Sequence, residues 1–348
     1  MNNIVFIVDY YYYKNGFGKT SYNFVNYLTK SKKYNINLFY TDQYYKDVHT
    51  EIIKINPEMI IVFEMNSFQK KTKSFNFIFT LKIPIYLFMD DTYYISSKTA
   101  NCKYTKLVNG FIFWYKNDMI KKSYEVKYPL KKIINFSSRY VNTNIYKDYN
   151  LEKKYDILLY GTRNYDYDYK NEELIPIQQW ISNYENINNV IINDKINFYP
   201  LRSKLENILI NNWHKLKNRY NFNIIILDEK SIDNSKIANE NLSKLINQSY
   251  LTIACSSIAD VLLHKYLEIS ASKSVILGNY PSDYKNLFDG NIIEVNEFMS
   301  DKEILSIIIE ALQNKDKLKE IADRLYEKVI NEHNLDKAVE DFDNIIPL

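Results

Sequence analysis

The sequence predicts an α/β protein of two consecutive domains, each a parallel sheet with helices on both faces. Three observations carry this prediction. The chain has 348 residues, and domains commonly run about 100–200 residues, so the length suits two. Short apolar runs of strand length alternate with stretches of helical spacing, the signature of strand–helix–strand crossovers. The alternation stops once, across the polar stretch Asn142 to Lys154, and restarts at Tyr155. The predicted domains are therefore residues 1–150 and 151–330, with residues 331–348 as a terminal helical piece.

In the first domain, Ile4 to Val8 reads as a buried strand. It leads into NGFGK and then a helix whose Tyr22, Phe24, Val25 and Leu28 fall at helical spacing. Ile36 to Tyr40 is the second strand, Tyr45 to Ile55 a helix and Met59 to Phe63 the third strand. Phe75 to Leu81 is a short helix ended by Ile-Pro, Ile85 to Met89 the fourth strand and Gly110 to Trp114 the fifth. In the second domain the predicted strands are Tyr155 to Gly161, Val190 to Ile192, Asn223 to Leu227, Tyr250 to Ala254, Ser274 to Leu277 and Ile292 to Val295. Helices are expected at Pro176–Asn183, Leu201–Arg219, Asn241–Asn247, Asp260–Ser270, Asp301–Leu312, Asp316–Ile330 and Leu335–Ile345, with a Tyr- and Asp-rich loop at Asn164–Asn171.

Composition excludes several classes. Apolar residues make up 46% and charged residues 25%, ordinary for a chain that buries a core. Net charge is +3 and no long basic block appears, KKTK at Lys70 to Lys73 being short, so the electrostatic footprint of a nucleic-acid binder is absent. The 33 tyrosines, against 6 glycines, go with abundant Asn, Lys, Ile and Phe, which share AT-rich codons. That bias points to a low-GC bacterium or a large DNA virus and accounts for Tyr10 to Tyr13 without a sugar-stacking role. Two distant cysteines, Cys102 and Cys255, do not make a disulfide framework. The start lacks a basic n-region and the apolar runs are too short to span a bilayer, so the expectation is a cytoplasmic protein, with peripheral membrane contact open.

Four motifs carry chemistry. NGFGKTS, with Gly16 and Gly18, joins a strand to a helix, where backbone N–H groups can meet an anion. A P-loop needs Gly where Tyr13 stands, and a dinucleotide fingerprint needs Gly where Ser21 stands. The loop is thus either a plain tight turn or a point of close substrate approach. Asp90 and Asp91 end the fourth strand, where open sheets take ligands. One of them is a candidate base for an acceptor hydroxyl, against the alternative of a helix cap. YDILLYGTR places Gly161 at a strand end, with Arg163 as a planar donor for phosphate. The nearby YPLR, Tyr199 to Arg202, reads mainly as a helix start with Pro in its first turn.

The fourth motif is ACSSIADVLLHKYLEISASKSVILG. A strand leads through Ser256 and Ser257 into the expected helix, on which Asp260 and Glu268 lie about two turns apart with Lys265 between them. A carboxylate can accept both ribose hydroxyls, and a lysine can neutralise a departing diphosphate. The alternative is an amphipathic helix with an acid at its N-terminus. His49, His214, His264 and His333 are scattered, and no cluster has metal-ligand spacing.

With this helix the sequence resembles the carboxyl-terminal domain of group 1 glycosyltransferases, including the CgeB-like branch. ADVLLHKYLEISASKSVI follows their register of acid, seven residues, acid, and small-residue helix end. YDILLYGTR resembles the first strand of their donor domain, LGNYPSDYKNLFDGNIIEV the segment after the helix, and Met299 to Phe342 the helical tail. The resemblance covers roughly the last 190 residues. It implies a GT-B fold, two Rossmann-like domains facing a cleft, with the acceptor on the first and a nucleotide-sugar donor on the second. It gives Glu268 the donor ribose and Asp260 the donor sugar, and it places Ser272 where the family commonly has Gly. It further implies that the terminal helix crosses back to the first domain, that no cofactor beyond the substrate is needed, and that a metal is dispensable. The expected partners are a nucleotide-sugar donor and a glycan, lipid-linked or protein acceptor. A GT-B nucleotide-sugar epimerase, a non-catalytic sugar or nucleotide binder and a P-loop NTPase are the competing readings.

Overall fold

The computed structural model describes residues 1–8, 19–41, 47–63, 73–89, 103–114, 116–136, 140–163, 165–168, 174–183, 195–227 and 239–346. The chain divides into two compact units. The first contains Met1–Arg139, Asn171–Gln178 and Leu335–Leu348, and the second Tyr140–Lys170 and Gln179–Asn334.

Among the described residues, the first unit holds six parallel strands: β1 (Asn2–Val8), β2 (Tyr34–Tyr40), β3 (Met59–Phe63), β4 (Ile85–Met89), β5 (Gly110–Phe113) and β6 (Lys132–Asn135). Their order across the sheet is β2-β1-β3-β4-β5-β6. In β3, β4 and β5 every residue is buried, as expected of a parallel sheet covered on both faces. The helices are α1 (Lys19–Leu28), α2 (Val48–Ile55) and α3 (Asp118–Lys127). Asp47 caps α2 by accepting from the Thr50 amide, and Asn117 caps α3 by accepting from that of Ile120. Neither α3 nor β6 was expected from the sequence. The core is aromatic: Phe63 stacks on Phe88 at 4.9 Å, and Phe24 meets Trp114 at 4.6 Å.

The second unit contains β7 (Tyr155–Leu159), β8 (Asp166–Asp168), α4 (Ile175–Ser182, entering from the first unit), β9 (Lys195–Asn197), α5 (Pro200–Asn211), α6 (Trp213–Tyr220) and β10 (Ile224–Ile226). It continues through α7 (Glu240–Asn247), β11 (Ser249–Ile253), α8 (His264–Ala271), β12 (Val275–Gly278), α9 (Lys285–Phe288), β13 (Ile293–Glu294), α10 (Asp301–Gln313) and α11 (Lys315–Glu332). The parallel sheet runs β10-β7-β11-β12-β13. Strand order reverses between β7 and β11, so the crevice at their carboxyl ends is a topological switch point. Gly278 ends β12 because a Cβ there would lie 1.8 Å from the Ala254 carbonyl oxygen. Ser300 and Glu303 form a reciprocal capping box on α10. That helix buries Ile304, Leu305, Ile308 and Leu312, each worth about 1.5–3 kcal/mol.

The final helix, α12 (Leu335–Ile345), belongs to the first unit, where Phe342 lies 6.0 Å from Phe6 and 6.0 Å from Tyr34. The Tyr34 hydroxyl donates to the Ile346 carbonyl at 2.8 Å, and the Lys32 amide to Asp343 at 3.1 Å.

Two expectations need correction. The single helix foreseen at Leu201–Arg219 breaks at Asn212 into α5 and α6. The loop foreseen at Asn164–Asn171 contains β8, which pairs antiparallel with β9. The strand expected at Val190 to Ile192 lies outside the described residues. The polar stretch Asn142 to Lys154 is held on the second unit: Asp148 accepts from Asn247 at 3.0 Å and from Lys273 at 3.1 Å, and Lys153 donates to the carbonyls of Ser249 and Lys273. No helix among the described residues is long and apolar enough to cross a membrane.

Candidate functional site

The site forms at the switch point of the second unit, where β7 and β11 end side by side. Beyond β7 the chain turns at Gly161 with φ +84, a conformation glycine adopts without strain. A Cβ on Gly161 would sit 3.2 Å from Lys265 Nζ and 3.7 Å from Arg202 Nη1, so two cationic side chains converge on this turn.

Arg202 comes from the first turn of α5. Pro200 opens that helix, and Ser203 ties it to the turn by donating to the Arg163 carbonyl at 2.7 Å. The Arg202 guanidinium lies 4.2 Å from the Tyr199 ring centroid, and its Nη1 donates to the Thr162 carbonyl at 2.5 Å. The side chain is 3% exposed, and Nε and Nη2 meet no oxygen or nitrogen acceptor among the described residues; the group they face is the Cys255 thiol, a weak acceptor. Buried guanidinium donors are costly to leave unmade, so this pair marks a place for an anion. The α5 N-terminus, with its partial positive charge, lies at the same turn.

Lys265 comes from the first turn of α8. Its ammonium donates to the Tyr160 carbonyl and, at 3.4 Å, to that of Ile253, and it lies 3.7 Å from the Tyr160 ring centroid. Burial, followed by the charge of Arg202, pushes its pKa well below the usual lysine value, while Cys255 and Glu268 pull the other way. Burial also drives the Cys255 thiol up to about 12 against the pull of Arg202 and Lys265, so this cysteine is inert at neutral pH.

Glu268 stands one turn further along α8, half-buried, and carries a hydrogen bond from the Tyr146 hydroxyl. Burial first, and Glu268 second, raise the pKa of Tyr146, which keeps that phenol a donor. Glu268 is also within electrostatic reach of Tyr160 and Lys265. Gly161, Lys265 and Glu268 are thus gathered, and Arg202, read from sequence as mainly structural, joins them.

The other candidates fall elsewhere. Asp260 is not on a helix: α8 begins at His264, and Asp260 occupies a left-handed turn with φ +53. Its carboxylate accepts from the Ser282 hydroxyl at 2.5 Å and the Ser282 amide at 3.2 Å, and burial raises its pKa despite those bonds. The seven-residue spacing to Glu268 therefore does not place both acids on one helical face. Arg163 is committed within the protein: it donates to Glu206 at 2.9 Å, to the Gly161 carbonyl at 2.9 Å and to the Leu227 carbonyl at 2.7 Å, strapping the turn to β10. Ser256 donates its amide to Asn279 at 2.9 Å, and Ser257 accepts from the Ala259 amide at 3.3 Å, so both shape the loop after β11.

Ser272, expected at the glycine position, closes α8 with an ordinary φ of −91 and packs its hydroxyl on Ser243. The residue in the left-handed conformation is its neighbour Lys273, with φ +58, bonded to Asp148 and Asp323. Gly16, Gly18, Asp90, Asp91 and Cys102 lie outside the described residues. Among the described residues, no three His, Cys, Asp or Glu side chains are placed to hold a metal ion.

Residues 202–344 match the family model described as glycosyl transferase-like. This segment is similar to that family, and the chain has the GT-B fold. The segment begins at Arg202 and includes Lys265 and Glu268. Sucrose-phosphate synthase from Thermosynechococcus elongatus superposes with a TM-score of 0.56 at 9% identity, covering 99% of this chain and 98% of that one. An alpha-glucosyltransferase in complex with UDP-glucose and DNA containing an abasic site gives 0.56 at 12% identity, with 99% of both chains covered. Anabaena HepE in complex with UDP and glucose gives 0.52 at 9% identity, again with 99% of both. At such identities these likenesses speak for the fold. No curated protein matches the chain.

Proposed function

We propose that this glycosyl transferase-like protein moves a hexose from a nucleoside diphosphate sugar to an acceptor hydroxyl. The observation that carries the reading is the pair of buried cations at Gly161, with two Arg202 donors left unmade. Like charges buried together raise the energy of the free protein, and a bound dianion relieves both the repulsion and the missing hydrogen bonds. A diphosphate supplies two negative phosphates bridged at the right scale for an arginine fork and an ammonium.

In the reaction the bond between the anomeric carbon and the diphosphate oxygen breaks, and the acceptor oxygen bonds to that carbon. Charge grows on the leaving phosphate, where Arg202 and Lys265 stabilise it more in the transition state than in the bound donor. Glu268 would take the ribose hydroxyls, and Asp91, or Asp90 beside it, the acceptor proton. The acceptor is a glycan, a lipid-linked sugar or a protein, reached in the cytoplasm, and the step needs neither cofactor nor metal.

The experiment is a panel of UDP-, GDP-, ADP-, TDP- and CMP-sugars, scored by thermal shift and by release of free nucleotide, with and without EDTA. One nucleoside diphosphate sugar should raise Tm through binding to the folded state and be turned over in chelator. Lys265→Met should lose both responses. Stabilisation by ATP and magnesium alone, with no response to any sugar nucleotide, would overturn the proposal.

A further inference from the structure

Among the described residues of the first unit, the most exposed large aliphatic side chains, apart from the chain start, are grouped. Leu130 is 95% exposed, Val126 76% and Leu107 53%. Val126 lies in the last turn of α3, Leu130 in the loop entering β6, and Leu107 in the loop entering β5. The two strands are neighbours, with Gly110 opposite Lys132, so both loops stand at the same amino-terminal edge of the sheet. Lys131 clasps them: its ammonium donates to the carbonyls of Lys106 at 2.9 Å and Val108 at 2.5 Å. The three aliphatic tips therefore project from one built surface. It lies at the opposite end of the strands from the carboxyl edge, where open sheets take their small-molecule ligands.

The polar setting is one-sided. Residues 103–109 and 119–133 contain seven lysines and one carboxylate, Glu125. Glu125 is paired with Lys121 at 3.6 Å. Lys106, Lys122 and Lys132 are exposed around the aliphatic tips. Protein–protein interfaces favour aromatic residues and arginine and are depleted in lysine. Single aliphatic tips set among lysines have the opposite character. Lysine stems lie along apolar surface while their ammonium groups reach an anionic headgroup layer, and the charges add to the attraction from the apolar contact.

We propose that the edge formed by Leu107, Val126 and Leu130, with the lysines around them, docks the protein on an anionic lipid bilayer. The contact is peripheral: aliphatic tips enter the headgroup boundary and no segment crosses.

The test is flotation of the full-length protein with phosphatidylcholine vesicles and with vesicles containing phosphatidylglycerol. The protein should float with the anionic vesicles and not with the neutral ones, and high salt should release much of it. Leu107→Ser, Val126→Ser and Leu130→Ser together should lower the bound-to-free ratio by about tenfold or more, and Lys106→Glu with Lys122→Glu should do the same. All five positions are exposed, and an unchanged Tm checks that the variants are folded. Equal flotation with both vesicle types, or variants that float as well as the wild type, would overturn the proposal. So would a dimer, seen by light scattering, that the serine variant makes monomeric while anionic vesicles bind neither form. That result would make the face a contact between copies of the chain.

Discussion

Replacing Arg202 by methionine should leave the free protein as stable as before, or more stable, while disabling nucleotide binding. Truncating a buried charged residue usually costs about 3–5 kcal/mol because its partner is stranded. Here the arrangement reverses the sign. Arg202 is 3% exposed, keeps Nε and Nη2 without an oxygen or nitrogen acceptor among the described residues, with only the weakly accepting Cys255 thiol beside them, and sits by Lys265, whose pKa it depresses. Removing two unmet buried donors returns about 1–3 kcal/mol each. The lost bond to Thr162 costs about 1.5–3 kcal/mol, and the lost contact with the Tyr199 ring about 1 kcal/mol. The sum lies near zero and leans to stabilisation, before relief of the repulsion on Lys265. A unit of 150–250 residues shifts by about 2–4 °C per kcal/mol, so Tm should hold or rise by a few degrees. Binding moves the other way. Charge-assisted bonds to a diphosphate are worth about 1.5–3 kcal/mol each, so losing one weakens the nucleotide by about tenfold to more than a hundredfold. Differential scanning calorimetry and titration calorimetry with the responding nucleoside diphosphate read the two effects separately. A fall in Tm of more than about 8 °C with unchanged nucleotide affinity would refute the reasoning and make Arg202 a structural residue.

Two further outcomes follow from the same site. Because burial and Arg202 hold the Lys265 pKa below its unfolded value, donor binding should raise that pKa and take up a proton, and affinity for the intact sugar nucleotide should fall as pH rises through the lowered value. Titrations in buffers of different ionisation enthalpy check this, and an uptake that persists in Lys265→Met would disprove it. The same shift predicts that the stability penalty of Lys265 is full below its folded pKa and relaxes as pH climbs toward the unfolded value of about 10.4. Glu268→Ala should weaken the nucleoside diphosphate by about tenfold or more through loss of charge-assisted bonds to the ribose, with little effect on inorganic pyrophosphate. Equal weakening of both ligands would remove the ribose role.

Much of this architecture is legible in the chain. β3, β4 and β5 are buried throughout, so their apolar runs announce a parallel sheet before any contact is known. Gly161 and Glu268 were visible for a similar reason: one ends a strand, the other follows a helix register, and both are local facts. α3 escaped because its buried residues are few, Ile120, Ser123 and Tyr124, and β6 because four residues with one fully buried carry no period. The Asn117 cap was the signal that marked the helix start.

The site itself was decided by the tertiary fold. Tyr199 to Arg202 reads correctly as a helix start, but nothing local says that the guanidinium meets a turn 40 residues earlier and a lysine 63 residues later. Arg163 sits at a strand end like a phosphate ligand, and only the approach of Glu206 and Leu227 shows that its donors are used. The seven-residue interval from Asp260 to Glu268 promised one helical face, and a left-handed turn at Asp260 dissolved it. Periodicity records which face of an element is buried, and so it fixes the sheets. The partners of a charged side chain come from distant strands, and the balance between desolvation and pairing that makes Arg202 and Lys265 a binding pair exists only once those strands are side by side.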